Sequence, residues 1–119
     1  MTYQQQIGNL GEKIAADFLL QKGYKLLDQN YHTRYGELDL VTAESEIIVF
    51  IEVKTRTSGS FGNPETSITE AKLQRIHNAA LLWLQEHPEV DDDWRIDAVA
   101  ITLDHQKKIK DIQHFINIQ

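Results

Sequence analysis

Apolar positions along the chain repeat first every three or four residues and then every two, and each change of period marks an element. Ile7, Leu10, Ile14, Phe18 and Leu19 recur at helical spacing, so a first helix is expected from about Tyr3 to Lys22, with Gly23 as its stop. Gly11 falls within that stripe, where a missing side chain lets a neighbour approach closely. Tyr24 to Gln29 is apolar and aromatic enough for a strand. Gly36 to Thr42 reads as a second, in which Leu38 and Leu40 alternate with Glu37, Asp39 and Val41, so the two acids share one face. Ile47 to Arg56 is the clearest strand. Its opening run, Ile47 to Ile51, is β-branched and aromatic, as suits burial on both faces, and Glu44-Ser45-Glu46 is the turn before it.

Thr57 to Pro64, rich in Ser, Gly and Asn, reads as a loop. Ser67 followed by Glu70 fits a capping box. It would open a second helix carrying Leu73, Ile76, Ala80 and Trp83, ended near Pro88. Arg95 to Leu103 is a fourth strand, and Asp104-His105-Gln106 a turn. Lys108 to Ile118 reads as a last strand, although Ile109, Ile112, Phe115 and Ile116 also fit a helix. The order is helix, three strands, helix, one or two strands, without internal repeat or linker. It gives one α/β domain over residues 1–119: a mixed central sheet of four or five strands flanked by two main helices.

Composition narrows the chemistry. The 119 residues are 41% hydrophobic and 25% charged, values of an ordinary globular domain. With no cysteine, disulfides, thiolate metal sites and a cysteine nucleophile are excluded. Met1 to Gly11 lacks the basic start and apolar block of a signal peptide, and no apolar run is long enough to span a bilayer, so a cytoplasmic, membrane-free protein is expected. The net charge of −6 works against a whole-surface grip on nucleic acid. The charge is nevertheless patterned. Five carboxylates and no base lie between Glu37 and Glu52, and Glu89, Asp91, Asp92 and Asp93 cluster in an expected loop. Bases gather at Lys22, Lys25 and Arg34, and again at Lys54, Arg56, Lys72 and Arg75. The five histidines show no zinc-ligand spacing and read as structural or exposed. Gly59 and Gly62 do not form a phosphate-cradling loop.

Glu52, Lys54 and Arg56 are two apart, project from one face, and follow five apolar residues directly. A strand buried upstream and charged downstream suggests a cleft at its end. If the second and third strands pair antiparallel through the turn near Ser45, Asp39 lies close to Glu52 across the ladder. Two carboxylates at that distance repel unless a cation or proton lies between them. Magnesium is the simplest resolution, because it accepts one or two carboxylates and fills its other positions with water and phosphate. Such an ion can polarise a phosphodiester and acidify water, while Lys54 orients the attacking water or neutralises charge on the phosphate. Glu12 lies at the edge of the helical stripe, within reach of the cleft if that helix packs over the sheet. Lys72 and Arg75, in the first turns of the second helix, could hold substrate phosphates. On base rates alone a Glu-x-Lys triplet is an exposed strand face, and Glu12, Lys72 and Arg75 are solvated helix residues. The preceding apolar run and the upstream Asp39 favour a site.

At these residues the chain resembles a known bacterial family. The stretch Asn30 to Leu40, containing Gly36-Glu37-Leu38-Asp39-Leu40, and the segment Phe50 to Arg56 are similar to those of the YraN-like family, as are Gly11-Glu12 and Arg95-Ile96-Asp97. That family is similar in turn to Holliday-junction resolvases and the PD-(D/E)xK nuclease superfamily, so a restriction-endonuclease-like core is implied. The resemblance assigns the motif's Asp to Asp39, its acid to Glu52, its lysine to Lys54, and the resolvase first-helix glutamate to Glu12. It implies Mg2+- or Mn2+-dependent hydrolysis of phosphodiester bonds in DNA, with branched or junction structures and a homodimer among the expectations. Asp39, Glu52 and Val53 are the expected metal ligands, and Arg34, Arg56, Lys72 and Arg75 the expected nucleic-acid contacts. His32 stands where the family more often has arginine. A nucleic-acid-binding module without catalysis is the alternative, and a scaffold for protein interactions a third reading.

Overall fold

The computed structural model describes residues 1–58, 68–90 and 93–119. The N-terminal stripe forms helix α1 (Tyr3–Gln21), and Thr2 opens it with a complete capping box. Its hydroxyl accepts from the Gln5 amide, and the Gln5 side chain accepts from the Thr2 amide. Gly23, at φ 94, turns the chain out of the helix in a conformation that other residues avoid. Strands β1 (Lys25–Thr33), β2 (Gly36–Glu44) and β3 (Ile47–Thr57) follow, then helix α2 (Glu70–Glu86), strand β4 (Asp93–Leu103) and strand β5 (Ile109–Phe115).

The five strands form one sheet in the order β1-β2-β3-β4-β5. β1 with β2, β2 with β3, and β4 with β5 pair antiparallel, while β3 and β4 are parallel. A parallel neighbour needs a crossover, and α2 lies in it. The sheet is therefore mixed and covered on both faces. Ile7, Ala15 and Leu19 of α1 pack with Leu40, Val49 and Ile51; Ile76, Ala80 and Trp83 of α2 pack with Val41, Ile48 and Phe50. This two-sided burial is why β3 opens with an unbroken apolar run. Trp94 packs edge-on against Phe50 at 5.6 Å, as does Trp83 at 5.8 Å.

Several boundaries differ from the sequence reading. β1 runs to Thr33 rather than ending at Gln29, because pairing with β2 continues past Asn30 to Thr33↔Gly36. β4 begins at Asp93 rather than Arg95, since Ile47 at the start of β3 pairs there. The last element is a strand, its helical alternative excluded by pairing with β4 from Leu103↔Ile109 to Ala98↔Phe115, and it stops at Phe115 rather than Ile118. Thr69 is the N-cap of α2, its hydroxyl accepting from the Lys72 amide at 3.1 Å. The expected Ser67 capping box, the loop glycines Gly59 and Gly62, and the acidic pair Asp91 and Asp92 lie outside the described residues. Among the described residues, no helix is long and apolar enough to cross a membrane.

Two packing details orient the chain for chemistry. A Cβ on Gly11 would stand 1.8 Å from Thr55 Oγ1 and 2.8 Å from its Cβ, so the missing side chain lets α1 rest directly on β3. That contact carries Glu12 to the charged end of the strand. On β4, Asp97 is fully buried. Arg95 Nε donates to its Oδ1 at 2.9 Å, the Asn117 amide to Oδ1 at 2.8 Å, and His114 Nε2 lies 2.8 Å from Oδ2. Lys22 Nζ is 2.7 Å from His114 Nδ1 and can only donate, so the ring carries its proton on Nε2, facing Asp97. Burial pushes the Asp97 carboxyl up, but the hydrogen bonds from His114 and Arg95 outweigh it and hold the carboxyl below its ordinary value.

Candidate active site

The site lies where β3 leaves the core. Leu40 pairs with Ile51, so Asp39 and Glu52 are the next residues outward on adjacent strands. Glu52 is 6% exposed and Asp39 half-buried. The Val53 amide donates to Asp39 Oδ2 at 2.8 Å, and the carboxyls of Asp39 and Glu52 are within hydrogen-bonding reach of each other. Strict alternation of β2 breaks here, because Leu38 joins the core under α2 while Leu40 joins the core under α1. Glu37 and Asp39 still line one groove, as their spacing implied.

Electrostatics mark this pair. Burial first, and then the Glu52 charge, push the Asp39 carboxyl up to about 8, against the opposing pull of the Val53 amide. Burial also raises the Glu12 carboxyl, helped by Glu37 and Glu52 and opposed by a hydrogen bond from Asn30. In the amide orientation that satisfies its neighbours, Asn30 nitrogen lies 2.6 Å from Glu37 Oε1 and 2.8 Å from Glu12 Oε1. Asn30 adopts φ 50, a conformation asparagine tolerates better than most residues. Four carboxylates from α1, β2 and β3 thus line the two sides of this end of the sheet, with Asn30 of β1 bridging Glu12 and Glu37.

The cations arrive from β3 and α2. Lys72 Nζ stands 2.7 Å from Glu52 Oε1. Burial disfavours its charge, yet the hydrogen bonds with Glu52 and Lys54 and the charges of Glu52 and Asp39 together outweigh burial and raise its pKa. The Lys54 amine is lowered, mainly by burial and then by Lys72 beside it. Lys72 is therefore no solvated helix residue. It is part of the site, and its ammonium is engaged by a carboxylate rather than held out for a phosphate.

A cleft of about 570 Å³ opens over these groups, lined by Glu12, Asp39, Glu52, Lys54, Arg56 and Lys72. Arg56 reaches Thr102 Oγ1 with Nε at 3.4 Å. A second groove, lined by Tyr35, Glu37 and the exposed Arg75, shares Asp39, Glu52 and Lys72 with the first. Arg34 stands at the β1–β2 turn, its Nη2 donating to the Tyr35 hydroxyl at 3.2 Å. The expected catalytic set Asp39, Glu52, Lys54 and Glu12 is thus brought together, while the four expected nucleic-acid contacts split. Arg56 and Arg75 line the grooves, Arg34 borders one through Tyr35, and Lys72 turns inward. His32 is exposed and pairs with Glu37 at 3.7 Å. Asn30 went unseen in the sequence, although an asparagine between two strand-like runs is a usable sign of positive φ.

Among the described residues, no three His, Asp or Glu side chains converge as a ready-made metal cage. Two adjoining carboxylates beside a main-chain carbonyl are nevertheless a donor set for a hard, water-keeping cation such as Mg2+, which needs no more from side chains. Val53 can contribute only that carbonyl.

A family model described as "Uncharacterised protein family UPF0102" matches residues 11–101. A UPF0102 protein of Syntrophomonas wolfei subsp. wolfei is 44% identical over 113 residues, covering 95% of this chain and 96% of the relative. A UPF0102 protein of Geobacter metallireducens is 38% identical over 115 residues, covering 97% and 93%. One of Alkaliphilus oremlandii is 40% identical over 115 residues, covering 95% and 97%. The YraN-like resemblance read from the strand motifs holds at the level of this family.

Proposed function

The chain belongs to the UPF0102 family, and we propose that it hydrolyses phosphodiester bonds in nucleic acid, DNA foremost, with Mg2+ or Mn2+ as cofactor. The observation that carries this reading is the contact between the half-buried Asp39 and the buried Glu52, two acids that repel unless a proton or cation stands between them. Asp39, Glu52 and the main-chain carbonyl of Val53 would hold the metal. When bound, that ion supplies charge neutralisation at the phosphate and a more acidic water. The similarity to PD-(D/E)xK nucleases, and through Glu12 to the resolvase branch, belongs to this proposal.

The chain's own groups take the remaining roles. Lys54 Nζ, at the cleft wall, orients the attacking water and offsets charge developing on the phosphate. The water oxygen bonds to phosphorus as the ester P–O bond breaks, leaving one phosphate end and one hydroxyl end. Lys72 fixes the Glu52 carboxylate. Arg56 and Arg75, lining the two grooves, sit where flanking phosphates would run.

The test is cleavage of labelled linear, gapped and four-way branched DNA with Mg2+, Mn2+ or neither. Metal-dependent cutting that disappears in Lys54→Ala supports the reading. Binding without cutting under any divalent cation overturns it. The Lys72–Glu52 ion pair favours a second reading, a binding module without catalysis, because it satisfies Glu52 without metal. Calorimetric titration separates the two: such a module takes up no Mn2+ in a manner that Asp39→Ala abolishes.

A further inference from the structure

We propose that Tyr35 and Tyr3 are base-stacking residues on either side of the Asp39–Glu52 pair, and that the substrate is a strand whose nucleotides are unpaired on both sides of the reacting phosphate. The proposal rests on the nucleic-acid reading above and deepens it to a substrate class.

The acids stand where two open grooves meet. The larger cleft is lined by Tyr3 and Gly8 of α1 together with the strand-end acids. The second groove is lined by Tyr35 and Gly36 at the β1–β2 turn. Both include Asp39, Glu52 and Lys72, so the acids sit at the junction of two open grooves rather than at the bottom of one pocket. Such a trough suits a chain passing through, with a phosphate at the junction and a nucleotide on each side.

Each groove carries a tyrosine with a cation beside its ring. Tyr35 carries the Arg34 guanidinium 5.0 Å from its ring centre. Tyr3 carries Lys107 Nζ at 5.4 Å. A ring beside a cation matches a nucleotide, with the ring for the base and the cation for its phosphate. Tyr3 is four residues before Ile7 and so extends the apolar face of α1, yet it remains 56% exposed where that face runs out over the cleft. In a duplex the base faces are covered by neighbouring base pairs. Tyrosines at the two ends can therefore serve only unpaired nucleotides.

The test uses one DNA sequence as a single strand, as a full duplex, and as a duplex with a single-stranded arm, each with Mg2+. Affinity is read by anisotropy, and stacking by 2-aminopurine fluorescence on either side of the cut. The single strand and the armed duplex should bind tighter than the duplex. Tyr35→Ala and Tyr3→Ala should each weaken single-strand binding roughly 10- to 100-fold and relieve the quenching on one side, while the Phe variants retain both. A wild type that prefers the duplex, or Ala variants that bind the single strand normally, overturns the proposal. Cutting measured on the same samples separates it from the hydrolytic reading. Metal-dependent cutting indifferent to both Ala variants ends the stacking proposal alone. Tyrosine-dependent binding without cutting sustains it and ends hydrolysis, and neither binding nor cutting ends both.

Discussion

Two carboxylates, Asp97 fully buried and Asp39 half-buried, sit almost level on one sheet and have opposite fates. Asp97 of β4 pairs with Ile51, which pairs with Leu40; Asp39 is one residue further along β2. Around Asp97 the chain assembles Arg95, the Nε2 proton of His114 and the Asn117 amide, so its negative charge is fully met. Beside Asp39 it assembles the like charges of Glu52 and Glu12, opposed by the Val53 amide and by the Lys54 and Lys72 ammonium groups, which do not outweigh them. The first carboxyl is held below its usual range and the second is driven above it. Asp97 is the deeper of the two, yet it is the one that keeps its charge, so company rather than depth separates a carboxylate that holds the fold together from a carboxyl that favours its proton.

The sharpest break in this comparison would come from Asp97→Asn. Removing one partner of a buried ion pair leaves the other uncompensated, which costs on the order of 3–5 kcal/mol. A urea midpoint near that of the wild type would reduce the network to decoration. At the other carboxylate the loss should fall on activity. Lys54→Ala should lower metal-dependent cutting by roughly 10²–10³-fold, while its unfolding midpoint stays close to wild type. A loss of stability like that of the Asp97 variant would make Lys54 structural. Gly11→Ala acts between the two regions. Forcing a methyl against Thr55 should cost about 1–3 kcal/mol, partly offset by up to about 1 kcal/mol of better helix propensity. Thermal melting reads the net loss, and divalent binding should weaken as Glu12 shifts away from the cleft.

The smallest and most diagnostic effect is in pH. Asp39 has a raised native pKa, so between about 4 and about 8 the native state holds a proton that the unfolded state has lost. Its contribution therefore makes the metal-free protein less stable as pH rises through that window. Asp97 has a lowered native pKa, so its contribution is present above the ordinary carboxylate range and disappears as pH falls through the native value. Urea midpoints from pH 3 to 9 should fall away at both ends. Asp39→Asn should flatten the alkaline arm and Mg2+ should lift it, whereas neither should alter the acid arm. An alkaline arm indifferent to both would remove Asp39 from the cation site.

Much of the site was legible before the fold, for local reasons. An antiparallel hairpin with a short turn at Ser45 and Glu46 fixes its own register, so counting outward from the turn brings Asp39 level with Glu52, one step beyond the last ladder pair, Leu40↔Ile51. The apolar run of β3 announced a strand buried on both faces, and Gly11 within a helical stripe announced a close approach. The sequence leaves Lys72 between a phosphate contact and a solvated helix residue, because periodicity shows that a residue lies off the apolar stripe, not whether the helix end it occupies overhangs a cleft. His114 and Asp97, seventeen positions apart, carried no pattern linking them.

The sequence by itself determined the alternation of elements, the two-sided burial of the sheet and the pairing of two acids, because these follow from side-chain period and one tight turn. Tertiary structure decided that Lys72 answers Glu52, that Asn30 bridges Glu12 and Glu37, and that Asp97 is neutralised while Asp39 is not. Those outcomes depend on how helices cross the sheet and how far their ends overhang it. Hydrophobic pattern selects the face a helix packs against, but the few ångströms that make or miss an ion pair are set by the packing of the whole core.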